Sequence, residues 1–162
     1  MLKVAGAVEI GSGRLKTGLV DLFEEILSRG SVLRVRVTGN SMAPFLKGGE
    51  FVTIRRVPAA SIRAGDLILF SLHEDSAILH RVIKRKESGS RSLSFITKGD
   101  GRSTPEGPVN QQSILGKVCR VEKMASPSGK MTRINMESVP WRIRNYIRAW
   151  RSCLVRPSAF RL

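Results

Sequence analysis

The sequence is short of several residue types and patterns, and each shortage excludes a class of protein. Two cysteines, Cys119 and Cys153, are too few for a disulfide framework or a zinc site of their own. The longest wholly aliphatic or aromatic run is Leu67–Phe70, far below the roughly 18 residues of a membrane-spanning helix. Glu9 interrupts the apolar N-terminal segment, which does not favour a cleaved signal peptide. We therefore expect a protein without metal or cofactor, either cytoplasmic or peripheral at a membrane.

Acidic residues are scarce as well, and the chain is strongly basic. It has 28 Lys and Arg against 13 Asp and Glu, a net charge of +15, which indicates an anionic partner. No acidic residue follows Glu137, whereas the same tail contains several arginines. Residues 137–162 are therefore interpreted as a basic appendage.

Period-two patterning dominates the middle of the chain. Apolar residues alternate with arginines over Leu33–Val37, which is typical of a half-buried strand. Further strands are predicted at 51–57, 66–71, 77–85, 91–98 and 114–123, with a weaker one near 130–136. Turn residues separate these segments. The pattern predicts a mainly β protein with a compact antiparallel domain over residues 31–136.

A helix is predicted on each side of this domain. Residues 14–29 repeat apolar side chains at three- and four-residue steps, and Gly30 follows as a C-terminal cap, so residues 1–30 form an N-terminal extension with a helix. Pro140 suits the first turn of the second helix. Its apolar residues share one side and arginines occupy the remainder, which predicts a basic amphipathic helix.

The C-terminal helix has alternative partners. Its apolar stripe could pack on its own β domain, or it could lie on a membrane surface. Tyr146 and Trp150 would then sit among headgroups. Arg144, Arg148 and Arg151 would attract anionic lipid or a membrane-protein partner. Arginines beside aromatic rings also suit nucleic acid, but no DNA-reading element precedes the β domain, so that partner is less favoured.

One serine and one histidine could form a catalytic pair. Ser41 lies in a sharp turn after a predicted strand, where a hydroxyl projects and backbone N–H groups stay unpaired, as an oxyanion site requires. A serine nucleophile needs a base within reach, and without one it is an ordinary turn residue. His80 would share an inward strand face with Ile78 and Val82. Taken alone, it is more simply a partly buried histidine bonded to a backbone carbonyl.

Five short motifs occur in a characteristic order: GNSMAP, AGDLILF, HRVI, TKGD and LGKV. This series resembles the type I signal peptidase family, which shares its β fold with self-cleaving phage and SOS-response repressors. It is most similar to the branch of archaea, the endoplasmic reticulum and sporulating bacteria, in which His replaces a Lys general base. The resemblance covers about residues 33–121.

The resemblance implies a role for each matching residue. Ser41 would be the nucleophile, His80 its general base, and Asp100 the acid that orients His80. Glu106 lies six residues past Asp100, at the place of a second acid in this branch, and is otherwise a solvated loop carboxylate.

The resemblance also implies an oxyanion and substrate-binding segment. Asn40, Ser41 and Met42 would supply it, although many relatives carry a serine where this chain has Gly39. The expected activity is serine-type endopeptidase cleavage of a polypeptide substrate after small residues, through an acyl-enzyme. The alternatives are a self-cleaving repressor-like regulator, and a non-catalytic protein that binds a membrane surface.

Overall fold

The structure is a computed structural model that describes residues 8–10, 18–73, 76–88, 92–125 and 130–154. Its strands are β1 (Val8–Ile10), β2 (Leu33–Val37), β3 (Phe51–Arg55), β4 (Leu67–His73), β5 (Ser76–Ser88), β6 (Ser92–Lys98), β7 (Glu106–Asn110), β8 (Ile114–Ala125) and β9 (Lys130–Asn135). Its helices are α1 (Leu19–Ser28) and α2 (Val139–Leu154). The predicted fold class, a mainly antiparallel β protein with an N-terminal and a C-terminal helix, is confirmed.

All of these strands belong to one sheet. Their spatial order is β1-β2-β3-β8-β4-β5-β6-β7, and β9 pairs with β8 beside this path. The β1–β2 pair is parallel and the other pairs are antiparallel. The long strand β8 therefore joins β3 to β4.

Strand β4 explains the longest apolar run of the sequence. Leu67 and Leu69 enter a core that is shared with α1, β2, β3 and β8. Ile68 and Phe70 point to the other side, into a second core with Val82 and its neighbours. A strand that is buried on both faces needs apolar residues at every position.

The structure differs from the prediction at the start of α1 and in two strands, β1 and β7, that were not predicted. Helix α1 begins at Leu19, after Gly18 in a left-handed conformation, whereas the helix was predicted from residue 14; residues 14–17 lie outside the described ranges. Strand β7 was not predicted, because Gly107 and Pro108 favour a turn. It lies at the sheet edge, where a proline without an N–H is tolerated.

Helix α2 docks on the β domain through its polar side. Asn145 and Ala149 are buried, and Trp141 packs its ring 6.0 Å from that of Phe45. The helix backbone lies directly over Gly65, where a β-carbon would be 2.7 Å from the nitrogen of Tyr146. Of the two alternatives for the apolar stripe, packing on the β domain is therefore not realised, since Ile143, Tyr146, Ile147 and Trp150 stay exposed. No helix among the described residues has the length and apolarity needed to cross a bilayer.

Candidate active site

Buried residues before and after Ser41 in the chain anchor the turn that carries it. Strand β2 ends at the buried Val37, and Met42, Phe45 and Leu46 are buried again five to nine residues further on. The backbone N–H of Leu46 donates to the carbonyl of Met42 at 2.9 Å, which closes the turn. Ser41 itself remains half-exposed between these anchors. The predicted sharp turn after a strand is thus present.

A second turn, residues 99–102, packs against the Ser41 turn. The N–H of Gly101 donates to the Ser41 carbonyl at 2.9 Å. A β-carbon at Gly99 would lie 2.5 Å from that carbonyl oxygen and 3.0 Å from Nε2 of His80. Only glycine permits this approach, because real β-carbons do not come so close to other atoms. Gly99 therefore allows the Ser41 backbone and the imidazole to lie beside the same turn.

His80 faces the interior, as its strand alternation predicted. It is 2% exposed and lies edge-on to the ring of Phe70, at 6.3 Å between centroids. Its Nδ1 atom is 3.0 Å from Oε2 of Glu106. Nδ1 is buried and makes no hydrogen bond to a described residue in this structure. Since the Glu106 side chain is 39% exposed, a small rotation of its carboxylate would complete the bond.

The surroundings of His80 favour a neutral imidazole. Burial lowers its pKa below the usual value, and the charge of Arg102 acts in the same direction. The carboxylates of Glu106 and Asp100 oppose this effect, but burial is the largest influence. A neutral imidazole can accept a proton from a hydroxyl, which is the first requirement of a general base.

Asp100 does not contact His80. Its two carboxylate oxygens accept from Nε and Nη2 of Arg81, at 2.7 and 2.6 Å. Arg81 is fully buried, and its Nη1 donates to the Gly65 carbonyl at 2.9 Å and to Oδ1 of Asn145 at 3.1 Å. The predicted contact between Asp100 and the imidazole is therefore wrong, because a buried guanidinium needs both oxygens. Glu106 takes the position beside His80.

Ser41 and His80 line one pocket, together with Glu106 and Arg102. Asn40 and Met42 line it as well. The Ser41 hydroxyl makes no hydrogen bond to any described residue, so it is not bonded to His80 in this structure. Likewise, the backbone N–H groups of Ser41 and Met42 have no acceptor within the described ranges. The pocket thus combines a hydroxyl, an imidazole and unpaired N–H donors.

The sequence did not indicate Arg81 or Asn145 as site residues. Arg81 follows His80 in a strand and so points to the opposite face, where an inward arginine requires a carboxylate partner. This need of a buried arginine for a carboxylate partner was the feature of the sequence that could have identified Arg81. Asn145 is the uncharged polar residue in the middle of an arginine-rich helix, and nothing local to α2 indicates its partner. No cluster of three His, Cys, Asp or Glu residues in the described ranges is arranged to hold a metal ion.

The chain is similar in sequence to one protein family and to several known proteins. The sequence model of the family described as Peptidase S24-like matches residues 4–119. The chain is also 33% identical over 73 residues to the signal peptidase complex catalytic subunit SEC11C of human, dog and mouse. That match covers 44% of this chain and 38% of each relative. The chain therefore matches well under half the length of these relatives.

Proposed function

Since the chain belongs to the Peptidase S24-like family, whose kind of function is that of a signal peptidase or a repressor protease, we propose that it is a serine endopeptidase. In this proposal Ser41 is the nucleophile and His80 is the general base. Glu106 orients the imidazole and stabilises its charged form. The substrate is a polypeptide that is cleaved after small residues.

The two ring nitrogens of His80 have separate roles in the proposed reaction: Nε2 transfers protons, and Nδ1 faces the Glu106 carboxylate. The Ser41 oxygen attacks a peptide carbonyl while Nε2 of His80 takes its proton, and Glu106 stabilises the imidazolium at Nδ1. The imidazolium then protonates the leaving amine as the C–N bond breaks, which leaves an acyl-enzyme ester on Ser41. Water attacks this ester and gives a proton to Nε2. Nε2 then returns a proton to the Ser41 oxygen as the C–O bond breaks, which releases the carboxylic acid and restores the free hydroxyl and the neutral imidazole.

The developing oxyanion requires donors beside Ser41. The unpaired N–H groups of Ser41 and Met42 support this role, and Asn40 lines the same pocket. Gly39 carries no hydroxyl, so a side-chain donor at that position is missing. In this proposal the backbone N–H groups of Ser41 and Met42, together with Asn40, stabilise the oxyanion.

The observation that carries the proposal is the position of His80. One imidazole nitrogen lies 3.0 Å from the Glu106 carboxylate, and the other borders a turn bonded to Ser41. An orienting acid, a base and a hydroxyl in this order are the elements of a serine-protease triad. The lowered pKa of His80, which results from burial, supports its role as a base.

Hydrolysis of peptides that contain an A-x-A site tests the proposal. Ser41→Ala should lose on the order of a million-fold in kcat, and Glu106→Gln on the order of ten-thousand-fold. Glu87→Gln is the matched control, because Glu87 is an exposed carboxylate that pairs with Arg85. Equal turnover by the wild type and Ser41→Ala would exclude the peptidase. Full activity of Glu106→Gln would show that Glu106 is not part of the catalytic triad.

Self-cleavage is the second candidate, and the Peptidase S24-like match favours it. Self-cleavage requires a scissile linker before the β domain, and two glycine-containing segments resemble one: Gly30–Ser31 connects α1 to β2, and Gly6–Ala7 lies outside the described residues. Prolonged incubation at high pH, followed by gel electrophoresis, should then show two fragments for the wild type and none for Ser41→Ala. An intact wild-type chain that still cleaves A-x-A peptides would favour the endopeptidase. An intact chain without peptidase activity would favour a binding protein of the same fold.

A further inference from the structure

Helix α2 has two faces with different surroundings. Its inner face touches the domain through Asn145 and Ala149. Its outer face carries a line of large apolar side chains at helical spacing, each between 48% and 67% exposed: Val139, Ile143, Tyr146, Ile147 and Trp150. We call these five residues the outer stripe. Exposed apolar residues are unremarkable when scattered, but a contiguous row of this kind marks a binding surface.

Arginines flank the outer stripe on both sides. At 100° per residue, Arg142 lies along one edge, and Arg144 and Arg151 lie along the other. Arg148, which was predicted to join them, instead faces the domain, with its guanidinium 4.9 Å from the ring of Phe45. No acidic residue follows Glu137, so nothing on the helix offsets these charges.

We propose that the outer stripe of α2 binds the surface of an anionic lipid bilayer, with the helix axis parallel to the membrane plane. The apolar side chains would enter the boundary between headgroups and acyl chains, where Tyr146 and Trp150 are suited to the polar interface. Arg142, Arg144 and Arg151 would contact lipid phosphates from both edges of the stripe.

The arginines beside the outer stripe favour an anionic lipid bilayer over a second copy of the chain as its binding partner. A second copy of the chain would bring two arginine-flanked helices together, and their like charges would repel. A bilayer that contains anionic lipid offers both an apolar interior for the stripe and phosphates for its edges. The net charge of +15 adds a long-range attraction to the same surface.

The inner face of α2 links this surface to the candidate site. Asn145 accepts from Arg81, the neighbour of His80 in β5, and Arg81 holds Asp100. Arg148 and Arg151 line a second pocket with Asp100 and Pro44, close to the Ser41 turn. Binding of the outer stripe would therefore hold the Ser41 turn near the bilayer surface.

Vesicle flotation with the full chain tests the proposal. The wild type should float with phosphatidylcholine vesicles that contain phosphatidylglycerol, and not with phosphatidylcholine alone. Tyr146→Ser/Trp150→Ser should weaken binding more than tenfold. Leu22→Ser/Val32→Ser is the matched control, since Leu22 and Val32 are 45% and 58% exposed in α1 and in the segment that follows it, and it should bind as the wild type does.

A second pair of variants separates the edge arginines from general basicity. Arg142→Gln/Arg151→Gln should lose about fivefold per charge removed, while Lys84→Gln/Lys86→Gln, on the exposed end of β5, should change binding little. Equal losses in the two pairs would overturn the proposal in favour of unspecific electrostatics. Absence of flotation would overturn it, and a dimer that dissociates in Tyr146→Ser/Trp150→Ser would assign the stripe to a second copy.

Discussion

Arg81 and Asp100 form a two-pronged ion pair in which both carboxylate oxygens accept from one guanidinium, at 2.7 and 2.6 Å. Arg81 directly follows His80, and Asp100 lies in the turn that is bonded to the Ser41 backbone. The pair therefore joins the strand of the proposed base to the turn beside the proposed nucleophile. Asp100 thus links two segments of the proposed site through Arg81, and it makes no hydrogen bond or ion pair with the imidazole.

Removal of this carboxylate should destabilise the fold. Asp100→Ala leaves the fully buried guanidinium of Arg81 without its counter-charge, which costs on the order of 3–5 kcal/mol in the free energy of unfolding. Glu87→Ala breaks an exposed pair with Arg85 and should cost at most about 1 kcal/mol. Urea unfolding of both variants measures the difference. A loss below 1 kcal/mol for Asp100→Ala would contradict this account of the pair.

The pH dependence of hydrolysis should report His80. Because burial lowers the pKa of His80, kcat/KM should stay high below the usual histidine value of 6.5 and fall only at lower pH. Glu106 raises this pKa, so Glu106→Gln should shift the acidic limb to still lower pH while it reduces kcat. A limb at or above pH 6.5 would contradict a buried neutral base.

The same shift affects stability. The unfolded chain binds a proton at His80 near pH 6.5, whereas the folded chain does so only at lower pH. Protons therefore favour the unfolded state below pH 6.5, and the contribution of His80 to the free energy of unfolding decreases as the pH falls through this range. Replacement of His80 with Gln should flatten this part of the curve of urea stability against pH.

Substitution of Gly99 should reduce activity, because no room exists for a β-carbon at this position. Alanine at this position would place a carbon 2.5 Å from the Ser41 carbonyl and 3.0 Å from Nε2 of His80, so the turn has to move away. A displacement of about 1 Å at reacting groups can cost on the order of a hundredfold in rate. Gly101→Ala, where the nearest atoms are at 3.1 Å, should lose less in the same kcat/KM assay. A greater loss for Gly101→Ala would contradict this order.

Gly65 should control the docking of α2. Gly65 and Gly18 have similar left-handed φ angles of 96° and 94°, so alanine imposes the same backbone strain at both. Only at Gly65 does the new carbon meet the backbone of α2, at 2.7 Å. Gly65→Ala should therefore speed amide hydrogen exchange in α2, whereas Gly18→Ala should not. Equal exchange in the two variants would show that α2 does not depend on this contact.

Most elements were predictable because their signals are local. The alternation over Leu33–Val37 and the turn residues between segments indicated the strands. Strand β7 escaped prediction because pairing with β6 holds it, and its Gly107 and Pro108 favour a turn in isolation. The role of Glu106 was ambiguous for the same reason. As a loop residue it has no defined position, but as the first residue of β7 it pairs with Thr97 and reaches the imidazole.

The amphipathic character of α2 was also readable from its spacing, but the face that it buries was not. Apolar residues at helical intervals indicate one stripe, and burial of that stripe is the usual outcome. Here the buried guanidinium of Arg81 offers Asn145 a partner, and Gly65 admits the helix backbone. Both features lie more than fifty residues away from α2 along the chain.

The residue pattern alone determined that this chain forms an antiparallel β protein with a serine turn, an inward histidine and a basic amphipathic helix, because periodicity, turn chemistry and charge are properties of neighbouring residues. Tertiary structure decided which carboxylate meets His80, which one neutralises Arg81, and which face of α2 remains outside. Those outcomes depend on the desolvation of charges and on close backbone contacts between distant segments, and only the folded chain brings such segments together.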